Sequence, residues 1–311
     1  MSSIAIIGEL NLDLIVTGAS RLPRLGEEVI VEGMELTLGS SSAIMVAQLA
    51  QFGDDVLFVS KVGDDDFGRR ALEFLREKGM STRAVAVEKG LATGLTISVA
   101  VGSERGQLTV LGSIEAMQYE DADFELLRDR KHLHISSFFL QRKLRPDIAR
   151  IFERAHEMGL TTSLDTGWPH EGEDVGDLDE VWPHVDVFFP NEAEAMLVTR
   201  SERLEDAVQA LAKLVPVVVV KLGPEGAMVR RGEEGARGRA FAIDVVDTTG
   251  AGDSFNAGFL HGYLEGWELG DALDLGLACG ALSTRGPGGT TTQPTLEEAL
   301  GFVRSAGRRG Q

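Results

Sequence analysis

The sequence predicts an α/β fold: a parallel sheet with helices on both sides and a small second β-layer attached. Two observations carry this. Short β-rich runs alternate with helical patterns along the chain, as in parallel strands joined by crossover helices. Two stretches, 12–38 and 93–111, break that rhythm with alternating strand patterns and no helices. Each supplies strands to a small second sheet or else extends the main one; gathered at one sheet end, they would make a lid over a ligand crevice.

The elements follow in order. Ser3–Ile7 reads as a buried strand ending at Gly8. A helix over 43–52 stops at Gly53, a strand follows over 56–60, and a helix over 67–78 stops at Gly79. The next strand, 132–136, leads to a helix over 147–158 closed by Gly159. Thr161–Leu164 is a strand followed by a turn at Gly167-Trp168-Pro169, and strand 185–189 is cut by Pro190. The run Val217 to Val220 is unbroken and β-branched, which requires both faces of its strand to be buried. Helices over 252–264 and 271–282 precede a C-terminal helix, and the tail 304–311 should fray.

Composition bounds the function. The chain has 311 residues, 43% hydrophobic and 25% charged, the balance of a soluble globular protein. It is read as one domain spanning 1–311 with the lid strands inserted. A single cysteine, Cys279, excludes an intramolecular disulfide and a cysteine metal cage. The net charge of −19 makes nucleic acid an unsuitable partner, because surfaces that track phosphates are basic. A small anionic ligand remains open if backbone N–H groups and a few cations hold it. Apolar runs such as 216–220 are too short to cross a bilayer and no signal core is visible, so no membrane partner and a cytoplasmic location are expected.

The most informative segment is Asp247-Thr248-Thr249-Gly250-Ala251-Gly252-Asp253-Ser254-Phe255. A glycine-rich loop entering a helix leaves backbone N–H groups pointing outward at the positive end of the helix dipole, an anion hole for phosphate. Asp253 in the first turn is either an ordinary N-terminal carboxylate or a general base beside a bound phosphate. The absence of Gly-Lys-Ser/Thr excludes a Walker loop.

This segment resembles, almost letter for letter, the C-terminal motif of the ribokinase-like (PfkB-type) carbohydrate kinases, and further matches run in order from Gly8 to about Pro294. The resemblance implies a ribokinase-like three-layer α/β/α core with a small β-sheet lid. It also implies ATP-dependent phosphorylation of a hydroxyl, with Mg²⁺ as cofactor. It makes Asp253 the catalytic base and the backbone of Gly250, Ala251 and Gly252 the anion hole. Asn191 and Glu194 match a motif that organises Mg²⁺, water and phosphate, with Glu194 acting through water; read without the family, they are a helix N-terminus after Pro190. Lys221, Gly223 and Gly226 match the nucleotide-binding turn, which by itself is a hairpin turn into 227–230. Lys221 would meet either a phosphate or a surface carboxylate. The Gly- and Thr-rich segment 283–292 matches a loop near adenine. In relatives that loop holds a monovalent cation together with the residues matching Asp247 and Thr249, so K⁺ is an expected activator.

On the sugar side, Asn11 and Asp13 match the first sugar-contact motif; a carboxylate accepting two hydroxyl bonds suits a polyol, and a turn residue is the rival reading of Asp13. The segment 22–28 resembles the family's stretch leading into the lid. Gly39, Ser40 and Ser41 align with the family's N-terminal glycine motif, but the chain departs from it. Relatives carry Gly-Gly and then an Asn; here Ser40 and Ile44 stand instead. The Ser run either replaces the lost sugar contact or caps a helix. Gln141 lies where some relatives place another sugar contact. His132 and His134 share one strand face and read as surface or hydrogen-bonded imidazoles, not metal ligands.

The expected function is therefore transfer of the ATP γ-phosphate to a sugar or sugar acid, for which Arg24 and Arg105 are lid-region cation candidates. Alternatives are a nucleoside kinase of the same family or a non-catalytic sugar or nucleotide sensor. Neither 12–38 nor 93–111 contains an aromatic residue for a nucleobase to stack on. The resemblance also makes a homodimer through the lid an expected assembly.

Overall fold

A computed structural model describes residues 2–101, 104–169 and 174–307. The first half of the chain runs β1 (Ser3–Ile7), β2 (Asn11–Thr17), β3 (Gly33–Leu38), α1 (Ser41–Gln51), β4 (Asp55–Gly63), α2 (Asp66–Glu77), β5 (Val85–Glu88), β6 (Gly94–Val101), β7 (Glu104–Val110), α3 (Phe124–Leu127), β8 (His132–Ile135) and α4 (Ile148–Glu157). The second half runs β9 (Thr161–Leu164), β10 (Val187–Phe188), α5 (Glu192–Thr199), α6 (Leu204–Leu211), β11 (Val217–Lys221), β12 (Ala227–Arg231), β13 (Glu234–Gly238), α7 (Ala251–Leu264), α8 (Leu269–Ser283) and α9 (Leu296–Gly307).

Nine strands form one sheet in the order β13-β12-β11-β10-β9-β8-β1-β4-β5. From β5 to β11 neighbours pair in parallel, and β12 and β13 close the other edge as an antiparallel hairpin. Period-two alternation divides the strands between two cores. Ile4, Ile6, Val217 and Val219 face α1, α7 and α8, where Phe255 and Phe259 pack. Ala5, Ile7, Val218 and Val220 face the opposite layer, with Ile151 and Phe152 of α4 and Val208 of α6. The unbroken Val run is buried on both sides because both layers are present. The fold is three-layer α/β/α.

The second sheet has the order β3-β2-β6-β7. It joins the first through very short links: residues 8–10 lead from β1 into β2, and Gly39-Ser40 lead from β3 into α1. Asp65 fastens it further, capping α2 through Gly68 N–H at 2.7 Å while accepting the Thr93 N–H and hydroxyl at 2.8 and 2.7 Å. Met34, Leu108 and Val110 are exposed on this sheet. The side chain of Arg105 and the tail beyond Gly307 lie outside the described residues.

Boundaries differ from the sequence expectation where local signals are weak. Strand β10 is only Val187–Phe188, and β5 and β13 carry short, largely exposed patterns that the alternation does not reveal. His132 and His134 are buried, not on the surface. Their ring nitrogens pair with Thr161, Ser163 and Ser136 at 2.7–3.0 Å, and burial lowers both pKa values, that of His134 to about 4. They are neutral, hydrogen-bonded core residues.

Candidate active site

The site gathers at the C-terminal ends of the parallel strands, where open α/β sheets hold ligands. Gly250 opens α7 at φ 72°, and a Cβ there would meet Gly289 Cα at 2.7 Å and Ile44 Cγ2 at 2.9 Å. Glycine is therefore required by both conformation and contact. The first i→i−4 bond of α7 runs from Ser254 N–H to Gly250 O, so the Gly252 and Asp253 amides stand ahead of it. Ala251 departs from the expectation: its N–H is given to Thr248 O at 3.2 Å, closing the turn.

Asp253 projects from this first turn. Burial, then the nearby Asp165 carboxylate, push its pKa up to about 7; Lys221 and a hydrogen bond with Ser41 pull the other way. Ser41, expected among the sugar contacts, thus links α1 to Asp253.

Asn191 and Glu194 cap α5 reciprocally: Asn191 Oδ1 accepts from Glu194 N–H and Glu194 Oε2 accepts from Asn191 N–H, each at 2.8 Å. The helix-cap reading is correct as geometry. The same pair also faces the charges of the site. Glu194 is buried, and its pKa is raised to about 7 by burial and by Asp165. Lys221 ends β11 beside them. Its Nζ donates to Asp165 Oδ2 at 2.7 Å and lies 3.7 Å from where a Cβ on Gly252 would stand. Burial disfavours this ammonium, but Asp165 and Glu194 outweigh it and hold the pKa above the ordinary lysine value. Its carboxylate partner is buried, not on the surface.

Three carboxylates, Asp165, Glu194 and Asp253, thus surround one ammonium. Among the described residues no three ligating side chains converge to hold an ion by themselves. Hard oxygen donors with excess negative charge fit a Mg²⁺ that keeps most of its waters and shares phosphate oxygens.

On the other side, Asn11 Nδ2 donates to Asp13 Oδ1 at 3.1 Å, and Gly39 packs so closely that a Cβ would stand 2.3 Å from that oxygen. Ser40 adopts φ 74°, a conformation suited to glycine. It caps α1 through Ala43 N–H at 3.0 Å and donates to Glu9 O. Ile44 is buried against Gly250 and Gly289, so it joins α1 to the glycine turn that opens α7. Gln141 is also fully buried; its Nε2 donates to Glu9 Oε2 at 2.8 Å, while its Oε1 has no partner among the described residues. Arg24 is exposed. Asp247 bridges two loops: Oδ1 accepts from Thr249 N–H and Oγ1 at 2.9 and 2.8 Å, and Oδ2 from Gly288 N–H at 2.9 Å.

Sequence reasoning missed Glu9, Asp165 and Asn256. Glu9 is 2% exposed and accepts hydrogen bonds from Ser42, Ser137 and Gln141 at 2.8–3.0 Å; burial raises its pKa. Asp165 accepts from Lys221 and, at 2.9 Å, from Asn256 Nδ2. Glu9 and Asp165 lie just past the C-terminal ends of β1 and β9, and the crevice rule for parallel sheets marks those positions.

Ser40 yields a stability prediction. A strained φ costs about 1–3 kcal/mol, while exchanging a Ser cap for Gly costs only a few tenths. Ser40→Gly should therefore stay within about 1 kcal/mol of wild type in urea unfolding, after allowing for Gly chain entropy and the lost Glu9 bond. Ser40→Ala keeps the strain, loses both bonds and should cost about 1–2 kcal/mol. A Gly variant less stable than the Ala variant would contradict the strain argument.

Lys221, Gly223, Gly226 and Gly252 line one cleft of about 650 Å³, which runs from the anion-hole turn to Phe241 and Leu277. The turn expected either to bind nucleotide or to make a hairpin does make a hairpin, and it also forms a wall of this cleft. The chain matches the model of the pfkB family carbohydrate kinases over residues 1–296. It belongs to that family. Among similar members, an ATP-dependent ribose-1-phosphate kinase of Halopiger xanaduensis is 31% identical over 302 residues, covering 95% of this chain and 96% of that protein. The solved Arabidopsis thaliana ribokinase complexed with ribose and ATP superposes with a TM-score of 0.83 at 24% identity, covering 98% and 99% of the two chains. An E. coli ribokinase II candidate in complex with ATP and Mg²⁺ gives 0.85 at 23% identity, covering 98% and 100%. This pfkB-family chain shares their three-layer fold. Among its described residues, no helix is long and apolar enough to cross a membrane.

Proposed function

We propose that this protein transfers the γ-phosphate of ATP to a hydroxyl of a sugar or sugar acid. One observation carries the reading: Asp253, with its pKa near 7, stands in the first turn of α7 beside the anion-hole amides, with Lys221 across from it. Asn11, Asp13 and the Gly39–Ser41 link hold the sugar between the two sheets. Triphosphate extends along the cleft so that its γ-phosphate meets the Gly252 and Asp253 N–H groups and Lys221. Asp253 takes the proton of the attacking hydroxyl as the new O–P bond forms in line and the bond to the ADP oxygen breaks. Fixed amides and the Lys221 ammonium stabilise the charge spread over the transferred oxygens. Mg²⁺, held through water by Asn191 and Glu194, would supply neutralisation of the phosphate oxygens.

The test is ADP release with Mg-ATP against a panel of sugars, sugar acids, sugar phosphates and nucleosides, with and without K⁺. Turnover on a sugar-class acceptor that is lost in EDTA and regained with Mg²⁺ is the expected result. Turnover confined to nucleosides would replace the acceptor assignment, and nucleotide binding without turnover on any acceptor would favour a sensor. Rate enhancement by K⁺ would assign a cation to the Asp247–Thr249 loop. A single-chain mass in light scattering would remove the lid dimer that the apolar residues of the second sheet invite.

A further inference from the structure

We propose that the donor site does not read the nucleobase, so that GTP and ITP serve as phosphoryl donors alongside ATP. This rests on the kinase reading of the cleft. The phosphate end is fixed by Gly252 and Lys221, which places a base at the far end, against Phe241, Ala242, Ile243 and Val245 from the segment before α7 and Leu277 and Ala281 from α8. Among the described residues lining the cleft, only three carry a polar side chain: Lys221, Thr248 and Thr284. Lys221 is paired with Asp165, and Thr248 adjoins the anion-hole turn. The Thr284 hydroxyl donates to Ala281 O at 2.7 Å, within its own helix end. Among the described residues lining the cleft, no amide, carboxylate, guanidinium or imidazole side chain is therefore placed to meet the base.

Adenine and guanine differ in the donors and acceptors on one edge, not in the area of their flat faces. A site built to hydrogen-bond a group rejects an analogue lacking it by about 10⁴–10⁵-fold, whereas an apolar pocket separates near-isosteres by only about 10–200-fold. Polar contact with the base edge is left to main-chain groups, which offer both N–H and C=O and can serve either pattern. The six apolar residues supply affinity through contact area, which the purines share.

The experiment is displacement of a fluorescent ribose-labelled ATP (mant-ATP) by ATP, GTP and ITP with Mg²⁺, followed by turnover with each donor on the best acceptor. Dissociation constants and kcat/KM within about tenfold of one another are expected, the low end of what apolar pockets discriminate. A preference for ATP above 100-fold in displacement would overturn the inference. Equal displacement by all three without turnover on any acceptor would sustain the unread base but overturn the donor role of GTP and ITP together with the kinase reading; failure of mant-ATP to bind would remove the base site as well. Ala281→Phe, which fills the base end, should weaken all three purine nucleotides alike, by tenfold or more, with sugar binding retained. Selective loss of one of them would show that the base is read.

Discussion

Asp253→Asn should lower kcat by about 10²–10⁴-fold, the contribution of a positioned general base, with little change in KM for either substrate. The amide matches the carboxylate in size and can keep the bond to Ser41, so the loss is confined to proton abstraction. Turnover within tenfold of wild type would remove Asp253 as the base. The pH profile supplies an independent check. Because burial and Asp165 hold the Asp253 pKa near 7, the base is protonated below that pH, and wild-type kcat/KM should climb with pH through about 7. Stability should move the other way. The folded pKa lies above the ordinary aspartate value of 3.8, so the folded state binds the extra proton between these values. Stability contributed by this group is full below about 4 and lost as pH rises to about 7. Asn has no such proton, so the unfolding free energy of the variant relative to wild type should increase across pH 4–7 and level off above it.

Lys221→Met should damage both stability and rate. Removing one member of a buried ion pair leaves the other charge unpaired, at a cost of about 3–5 kcal/mol. Asp165 is that stranded charge, with Glu194 and Asp253 nearby. Loss of a preorganised cation at the transferred phosphoryl group should lower kcat by about 10²–10³-fold, as for loss of an oxyanion donor. The double variant Lys221→Met/Asp165→Asn separates the two effects. It removes the stranded charge and should regain most of the stability in urea unfolding, yet its kcat should stay low. Recovery of both would make Lys221 a purely structural partner of Asp165.

The α/β alternation was legible because apolar positions recur with a helical period in α2, α4 and α6, and both faces of the central strands are buried. Strands β5 and β13 escape because they lie at or near sheet edges and bury little. In the site, residues proposed to act through a local motif were visible: Gly250, Gly252 and Asp253 are consecutive or nearly so, and Asn191 and Glu194 are one turn apart. Asp165 was not, because its partners Lys221 and Asn256 are 56 and 91 residues away and only the sheet order brings them together. Ser41 was read as a sugar contact because its motif belongs there, and Ile44 as the loss of one. The contact of α1 with α7, which the motif does not reveal, also brings Ser41 to Asp253 and packs Ile44 on Gly250.

The two sheets separate tasks along the chain. Every group proposed to move the phosphoryl unit is borne on the nine-stranded sheet and its helices, while Asn11 and Asp13 stand on β2 of the small sheet, three and five residues beyond Gly8. Links of three, two and five residues, at 8–10, 39–40 and 89–93, join these parts, and residues 111–131 return the chain to β8. Drift confined to the small sheet would therefore alter which molecule is phosphorylated while leaving the transfer apparatus untouched. Descendants of such a chain can acquire new acceptors without reinventing the reaction.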